Sequence, residues 1–458
     1  MNPVLERLYY RAPIALQNLA VSLMGLKLYR QRYAGDAPHY LESLRQSEKL
    51  DAVELRHLQE REFVRLAQRA ITQVPHYREW AEREGIRPQD IRTLDELALF
   101  PVLEKGPIRD DPERFLSDEA GRNVFAMSTS GTTGTPLTIY SDPASRTYHY
   151  AFMSRLRSWF GVGVRGRRAT LLGRIIMQPD QATPPFWRHD VAQKNLLMSS
   201  YHLAQRNLQH YYGKLRQFQP EEIFGYPSSI YEVARYVVES GLTPLQTKLV
   251  MTTAEPLLAY QREVIEQAFT GAVVNQYGCT EMAFFAAECE QGVMHLHPEH
   301  GLAEVLDEHG TQVQPGESGE LVATGLVNSV MPLIRYRTGD RVRLGREPCE
   351  CGRAFPVLAE VEGRIDDTLY RQDGTPVGRL DPVFKGGSGI VEAQIIQHGS
   401  GNVTVRVVPA ADYSEQHRNW IMYEIGKRMG RGLEVDVEAV SSIPRTASGK
   451  FKAVIREQ

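Results

Sequence analysis

The sequence predicts an α/β protein: a helical N-terminal segment leading into α/β sheets, followed by a small α+β domain at the C-terminus. Three observations predict it. Helical patterning fills the first 125 residues; short β-prone runs then alternate with helical stretches; after Asp367 the order becomes strand, strand, helix, strand. The expected divisions are 1–125, 126–365 and 366–458. At 458 residues the chain has room for two or three domains.

In the first part, Leu50–Val74 carries apolar residues at helical spacing among charges, and Pro75 stops that helix. Pro13–Leu28 is the most apolar early stretch. It contains Gln17, Asn18 and Lys27 and is too short and too polar to span a membrane. Its flanks are basic (Arg7, Arg11, Lys27, Arg30, Arg32). Two readings follow: a helix docked on the domain surface, or peripheral contact with a membrane.

In the middle part the β-prone runs are Leu137–Tyr140, Thr170–Leu172, Glu222–Phe224, Leu249–Thr252 and Val273–Gln276. Helical patterns at Ile230–Glu239 and Tyr260–Ala268 separate some of them, as a parallel sheet requires. Residues 302–365 are richer in strands and turns, such as Gly319–Thr324 and Arg341–Leu344. The last part reads as strands Ile390–Gln397 and Val403–Val408, helix Ser414–Met429, strand Glu434–Val440 and a polar tail.

Composition excludes several classes. There are 53 Lys plus Arg against 56 Asp plus Glu, a net charge of −3, so nothing points to a nucleic-acid partner. Four cysteines do not make a disulfide framework and fit a reducing, cytoplasmic compartment. Oligomeric state is not legible. Gly161-Val-Gly163-Val-Arg-Gly166 has dinucleotide-loop spacing, but a helix-like segment precedes it and a strand-like one follows. That is the reverse of the order a nucleotide needs.

Five segments carry chemistry. Ser128-Thr-Ser-Gly-Thr-Thr-Gly-Thr-Pro136 is all hydroxyls, glycine and proline, suited to a backbone cradle for phosphate, or to a surface turn. No Walker lysine follows its second glycine, which argues against a P-loop ATPase. Asn275-Gln-Tyr277-Gly-Cys-Thr280-Glu281 follows a strand, where α/β folds place ligands. There Tyr277 can stack on a base, Thr280 can donate to phosphate and Glu281 can hold Mg²⁺. Ile334-Arg-Tyr336-Arg337-Thr338-Gly339-Asp340 offers an acid for a ribose and Arg337 for phosphate, or reads as a hairpin turn with an ion pair. Glu362-Gly363-Arg364-Ile365-Asp366-Asp367 falls at the last domain boundary as a hinge or a plain linker. Pro444-Arg-Thr446-Ala-Ser448-Gly449-Lys450 ends the series with a lysine on a Gly-Ser turn, or an ordinary exposed tail.

Taken in order, these five segments resemble the motifs of the acyl-adenylate-forming superfamily. The chain looks most like the phenylacetate–CoA ligase branch and its CapK-type members of polysaccharide gene clusters. Gly173-Arg174, Pro184–Arg188, Ser199–Leu203, Gly225–Ser228 and Cys349-x-Cys-Gly-Arg353 carry that likeness, which spans nearly the whole chain. The resemblance implies a large adenylate-forming domain with a small mobile C-terminal one. It implies an ATP-dependent ligase that adenylates a carboxylic acid, releases pyrophosphate and passes the acyl group to CoA or an amine.

The same resemblance assigns roles residue by residue. Ser130, Gly131, Thr132, Thr133 and Gly134 would clamp the ATP phosphates, although Leu137 stands where the family often has lysine. Ala254 and Glu255 would lie along the adenine, Tyr277 would stack on it, and Asp340 would bind the ribose. Thr280 would bond the α-phosphate and Glu281 would carry Mg²⁺. Arg337 and Arg364 would complete the nucleotide site. Asp366 would be the pivot, and Lys450 would bridge carboxylate and α-phosphate. Tyr201, Tyr226 and Ser228 are candidates for the acid pocket. An idle nucleotide-binding scaffold is the alternative, and an intact Lys450, Glu281 and Asp340 argue against it.

Independently, Cys289-x5-His295 and Cys349-x-Cys351 supply three thiols and an imidazole, the ligand set of a closed structural Zn²⁺ site. Gly292 and Gly352 allow tight ligand turns, and His297 and His300 are rival fourth ligands. Reduced core cysteines are the alternative. Cys279 reads as a packing residue.

Overall fold

The computed structural model describes residues 8–129, 137–178, 181–346, 348–364, 369–370, 376–377, 389–399, 401–429, 434–446 and 449–457. Its N-terminal part is helical: α1 (Ile14–Tyr33), α2 (Ala37–Ser47), α3 (Ala52–Gln73), α4 (Pro75–Glu84) and α5 (Lys105–Asp110). Asp51 caps α3 by accepting from Val53 N and Glu54 N, and the Glu54 carboxylate returns the bond to Asp51 N. Pro75 does stop α3, and it then serves as the first residue of α4, where its missing N–H leaves no bond unmade.

Helix α1 packs on the body through Gln17, whose Oε1 accepts from the buried Arg188 Nε at 2.6 Å. Its Leu16, Leu19 and Leu23 remain exposed. Among the described residues no helix is long and apolar enough to cross a membrane.

Strands β1 (Phe125–Ser128) and β2 (Thr138–Ser141) form their own antiparallel hairpin. The run expected at 137–140 therefore stands outside the main sheet. Helix α6 (Pro143–Trp159) follows, capped by Asp142 accepting from Ser145 N at 2.8 Å.

The chain then lays down β3 (Arg168–Leu172), β4 (Trp187–Asp190) and β5 (Asn195–Ser199), then α7 (Gln205–Phe218) and β6 (Glu222–Gly225). Next come α8 (Pro227–Glu239), β7 (Leu249–Thr253), α9 (Ala259–Ala268) and β8 (Ala272–Gly278). The antiparallel remainder is β9 (Phe285–Glu288), β10 (Met294–Leu296), β11 (Gly301–Leu306), β12 (Ser318–Gly325), β13 (Tyr336–Leu344) and β14 (Val357–Arg364).

One twelve-stranded sheet contains all of β3 to β14, in the order β11-β12-β13-β14-β10-β9-β8-β7-β6-β3-β5-β4. Strands β8, β7, β6, β3 and β5 pair in parallel, as the alternation predicts. Helices α7, α8 and α9 cover one face of that region over a core including Leu171, Ile223, Ile230 and Val250. Helix α6 covers the other over Met251, Val274, Phe152 and Leu156.

Two expectations change. The 336–344 stretch is one continuous strand, not a hairpin turn, because β12 and β14 flank it on both sides. The strand before Thr280 runs on through Gly278, so Tyr277 stands on β8 itself.

The last part contains the short pair β15 (Leu369–Tyr370) and β16 (Pro376–Val377), then β17 (Ile390–Gln397), β18 (Val403–Pro409), α10 (Glu415–Met429) and β19 (Val435–Ala439). The expected polar tail is corrected: it holds a fourth strand, β20 (Val454–Arg456), parallel to β17. Order β19-β18-β17-β20 gives this part its own core of Ile395, Val405, Ile421 and Ile425.

Candidate active site

A cavity of about 870 Å³ lies at the carboxyl end of β7 and β8 and is closed by the C-terminal segment. Ala254, Glu255, Tyr277, Thr280, Glu281, Asp340, Arg364 and Lys450 all line it. Eight residues scattered over 197 positions thus face one space. Ser130, Gly131, Thr132, Thr133, Gly134 and Asp366 lie outside the described residues.

Tyr277, Asp340, Arg364, Glu281 and Glu255 are each held by a group from another segment. The Tyr277 hydroxyl donates to Asp340 Oδ2 at 2.7 Å, and Arg364 Nε pairs with Asp340 Oδ1 at 2.8 Å. Burial pushes the Asp340 carboxyl up, and Arg364 pulls it back. Glu281 is buried and accepts from the Tyr336 hydroxyl at 2.8 Å. Ala254 adopts φ +67°, a strained conformation for a residue with a Cβ, directly on the cavity wall.

Glu255 joins the two parts of the molecule. It accepts from Phe451 N at 2.6 Å and from Ser228 N, in the first turn of α8, at 3.1 Å. The loop before Phe451 closes on itself: Thr446 N bonds Lys450 O at 2.9 Å and Lys450 N bonds Thr446 Oγ1 at 3.0 Å. Gly449 turns the loop with φ +76°, and a Cβ there would meet Gly173 Cα and the Tyr201 ring at 3.1 Å. Burial pushes the Lys450 ammonium below its ordinary value, while Glu255 and Glu281 draw it back up.

Tyr201, Tyr226 and Ser228 therefore sit differently from expectation. They do not line the cavity; Tyr201 and Ser228 support the docked loop instead, through Gly449 and Glu255. Arg337 is also displaced from the nucleotide site. Strand alternation turns Tyr336, Thr338 and Asp340 inward and Arg337 outward, where it pairs with Glu104 and Glu320. Lys105 and His149 are among the cavity residues that had no sequence signal. Lys105 on α5 reaches Thr338 O at 2.6 Å, and His149 comes from the middle of α6. Each stands alone in an otherwise ordinary helix.

The cysteine cluster forms on β9, β10 and the turn before β14. Ligand atoms of Cys289, His295, Cys349 and Cys351 all lie within 4.8 Å of one another. Cys289 Sγ is 3.6 Å from Cys349 Sγ, and Cys351 Sγ is 3.5 Å from His295 Nε2. His295 Nδ1 faces the Phe355 carbonyl at 3.1 Å, so the Nδ1–H donates there and Nε2 is left toward the thiols. Gly292 and Gly352 take φ +71° and +79° in the turns beside the ligands. The rivals are committed elsewhere: His297 Nδ1 meets Arg155 Nη2 at 2.6 Å, and His300 Nε2 meets His149 Nδ1 at 3.1 Å. Cys279 packs beside the core and also touches the cavity.

The family model described as the CapK C-terminal domain matches residues 369–457. Over 459 aligned residues the chain is 28% identical to Protein CapK of Staphylococcus aureus, covering 99% of each protein. It is 29% identical over 335 residues to the phenylacetate-coenzyme A ligase of Aromatoleum evansii, covering 70% of this chain and 73% of that one. Among solved structures, 2-hydroxyisobutyryl-CoA ligase in the postadenylation state shares the fold. Its TM-score is 0.74 at 21% identity, over 90% of this chain and 92% of that chain.

Proposed function

Taking as premise that the chain is a CapK-like relative of the adenylate-forming superfamily, we propose that it is an ATP-dependent ligase. It converts a carboxylic acid to an acyl-adenylate with release of pyrophosphate, then passes the acyl group to CoA or an amine. The observation that carries this reading is the convergence of Lys450, Thr280, Glu281, Asp340 and Tyr277 on one cavity. The proposed divisions remain 1–125, 126–365 and 366–458.

The chemical problem is the approach of a carboxylate to a polyphosphate, two anions that repel. Lys450, held in a water-poor site between Glu255 and Glu281, offsets that repulsion where negative charge develops. Thr280 orients the α-phosphate, and Tyr277 with Asp340 holds the nucleoside end. These groups act by position, which accounts for much of such a rate enhancement. Glu281 presents a hard carboxylate oxygen to the cavity, fitting Mg²⁺, which supplies charge neutralisation on the phosphates when bound. Ser130–Gly134 would cradle the phosphates, and Asp366 would be the pivot that withdraws Lys450 before acyl transfer.

Cys289, His295, Cys349 and Cys351 suit a structural Zn²⁺: donor number, softness and the oriented imidazole agree. The exposed Leu16, Leu19 and Leu23, with Lys27 and Arg30 on the same helix, support peripheral membrane contact of a cytoplasmic enzyme. The CapK likeness supports a place in polysaccharide biosynthesis.

The test is pyrophosphate release with Mg-ATP across aryl, fatty, amino and uronic acids, with CoA absent. Release that depends on one acid class and on Lys450 supports the reading. Silence across all classes with ATP still bound would favour an idle scaffold.

A further inference from the structure

Behind the main cavity lies a second one of about 170 Å³, between α6 and the face of the parallel sheet. His149 and Gln276 line both, so the two spaces share a wall. Arg32 at the end of α1, Arg157 on α6, Arg168 on β3 and Arg174 just past β3 all line it, and among the described residues no carboxylate does.

Glu222 is the carboxylate that answers them. It lies fully buried, accepting from Arg157 Nε at 3.0 and 2.9 Å and from Arg168 Nε at 2.6 Å. Two of these four guanidiniums thus share one acid. Arg157 is 2% exposed, and its Nη1 has no hydrogen-bond partner among the described residues; nor has the buried Arg32 Nε. Burial pushes the Tyr33 phenol up, yet Arg157, Arg168 and Arg32 together hold it below its ordinary value. Buried guanidinium N–H groups without acceptors are costly, and an apolar acyl tail would leave them so. A carboxylate would satisfy them with charge-assisted bonds, often two per guanidinium.

We propose that this cavity receives the far end of the acid substrate, and that the substrate is a short dicarboxylic acid: one carboxylate is adenylated beside Lys450 while the other is held by Arg32, Arg157 and Arg174. This rests on the adenylation reading and names its substrate class. The site selects against aryl and alkyl acids because they bring no partner for the guanidiniums.

Pyrophosphate release with Mg-ATP is measured for the dicarboxylic acids from malonate to adipate, for their monoamides, and for benzoate and hexanoate. Arg32→Met and Arg174→Met serve as variants, since Arg157 and Arg168 also hold Glu222 and their loss would disturb the core. The expected result is release with a dicarboxylic acid and roughly tenfold to a hundredfold lower kcat/KM with its monoamide. Each Met variant should raise KM for the diacid by a similar factor and leave KM for ATP unchanged. Preference for benzoate or hexanoate, unaffected by either variant, overturns the proposal and leaves the ligase reading standing. If no acid supports release, calorimetric titration of the wild type with each diacid decides separately. Binding abolished by Arg174→Met upholds the cavity and locates the failure in the adenylation reading; no binding of any diacid overturns the cavity assignment.

Discussion

Lys450 stands among opposing charges. Burial lowers its affinity for a proton and Arg364 adds to that, while Glu255 and Glu281 oppose both. On the proposed reading it acts on charge that develops during attack, so Lys450→Ala should slow pyrophosphate release by about 10²–10³-fold with ATP affinity retained. Parallel rate and ATP-titration measurements check this; lost ATP binding with an intact residual rate would contradict the role. Residues of this kind were legible in the sequence because their motifs pair chemistry with turn residues. Arg337 misled because adjacency in sequence suggests adjacency in space, whereas strand alternation sends neighbours to opposite faces. Lys105 and His149 gave no signal, since the partner of each lies over a hundred positions away, and Arg32 reads in the sequence only as a basic flank of α1.

At the scale of elements, the cysteine-bearing turns join two strands that pair directly, β10 with β14. A metal there would tie the β9–β10 hairpin to the turn between β13 and β14. Cys349→Ser should lose zinc and lower Tm by about 5–10 °C, on a scale of ~2–4 °C per kcal/mol for large domains. Metal analysis and thermal melts check it; a metal-free wild type with an unchanged melt would remove the site. The sequence supplied the ligand set but left three histidines in contention. Packing alone separates them, because Arg155 and His149 already occupy His297 and His300. Element types were readable where the period was clean, as in β17 at Ile390–Gln397. Strand β20 was not, since three residues are too few to show a period and it forms only by pairing with β17.

Over the whole molecule, segments from Ala254 to Lys450 meet because parallel β7 and β8 deliver their loops to one edge, antiparallel β13 and β14 bring Asp340 and Arg364 to it, and the C-terminal part folds back over it. That return should depend on pH. Glu392 on β17 is pushed up to about 7 by burial, aided by Glu232 and Glu255 of the large part and opposed by its ion pair with Arg445 at 2.6 Å. Its ordinary value is 4.5, so the folded state holds a proton that the unfolded state releases between those limits. The stability this contributes is full below about pH 4.5 and is lost as pH rises through about 7, on the order of 3 kcal/mol at most. Protease sensitivity of the C-terminal part should therefore increase from pH 6 to pH 8, and Glu392→Gln should flatten the rise. An unchanged slope in the variant would assign the effect elsewhere.

The bond from Phe451 N to Glu255 has one more consequence. The loop that carries the Lys450 ammonium into the cleft is the same loop that quiets the Glu255 carboxylate. Any rotation that lifts the loop away removes a cation and uncovers an anion in a single movement. Shape and electrical sign are then one variable: on the proposed reading, the docked loop presents a cation to a polyphosphate, and a lifted loop would present an anion to the departing pyrophosphate.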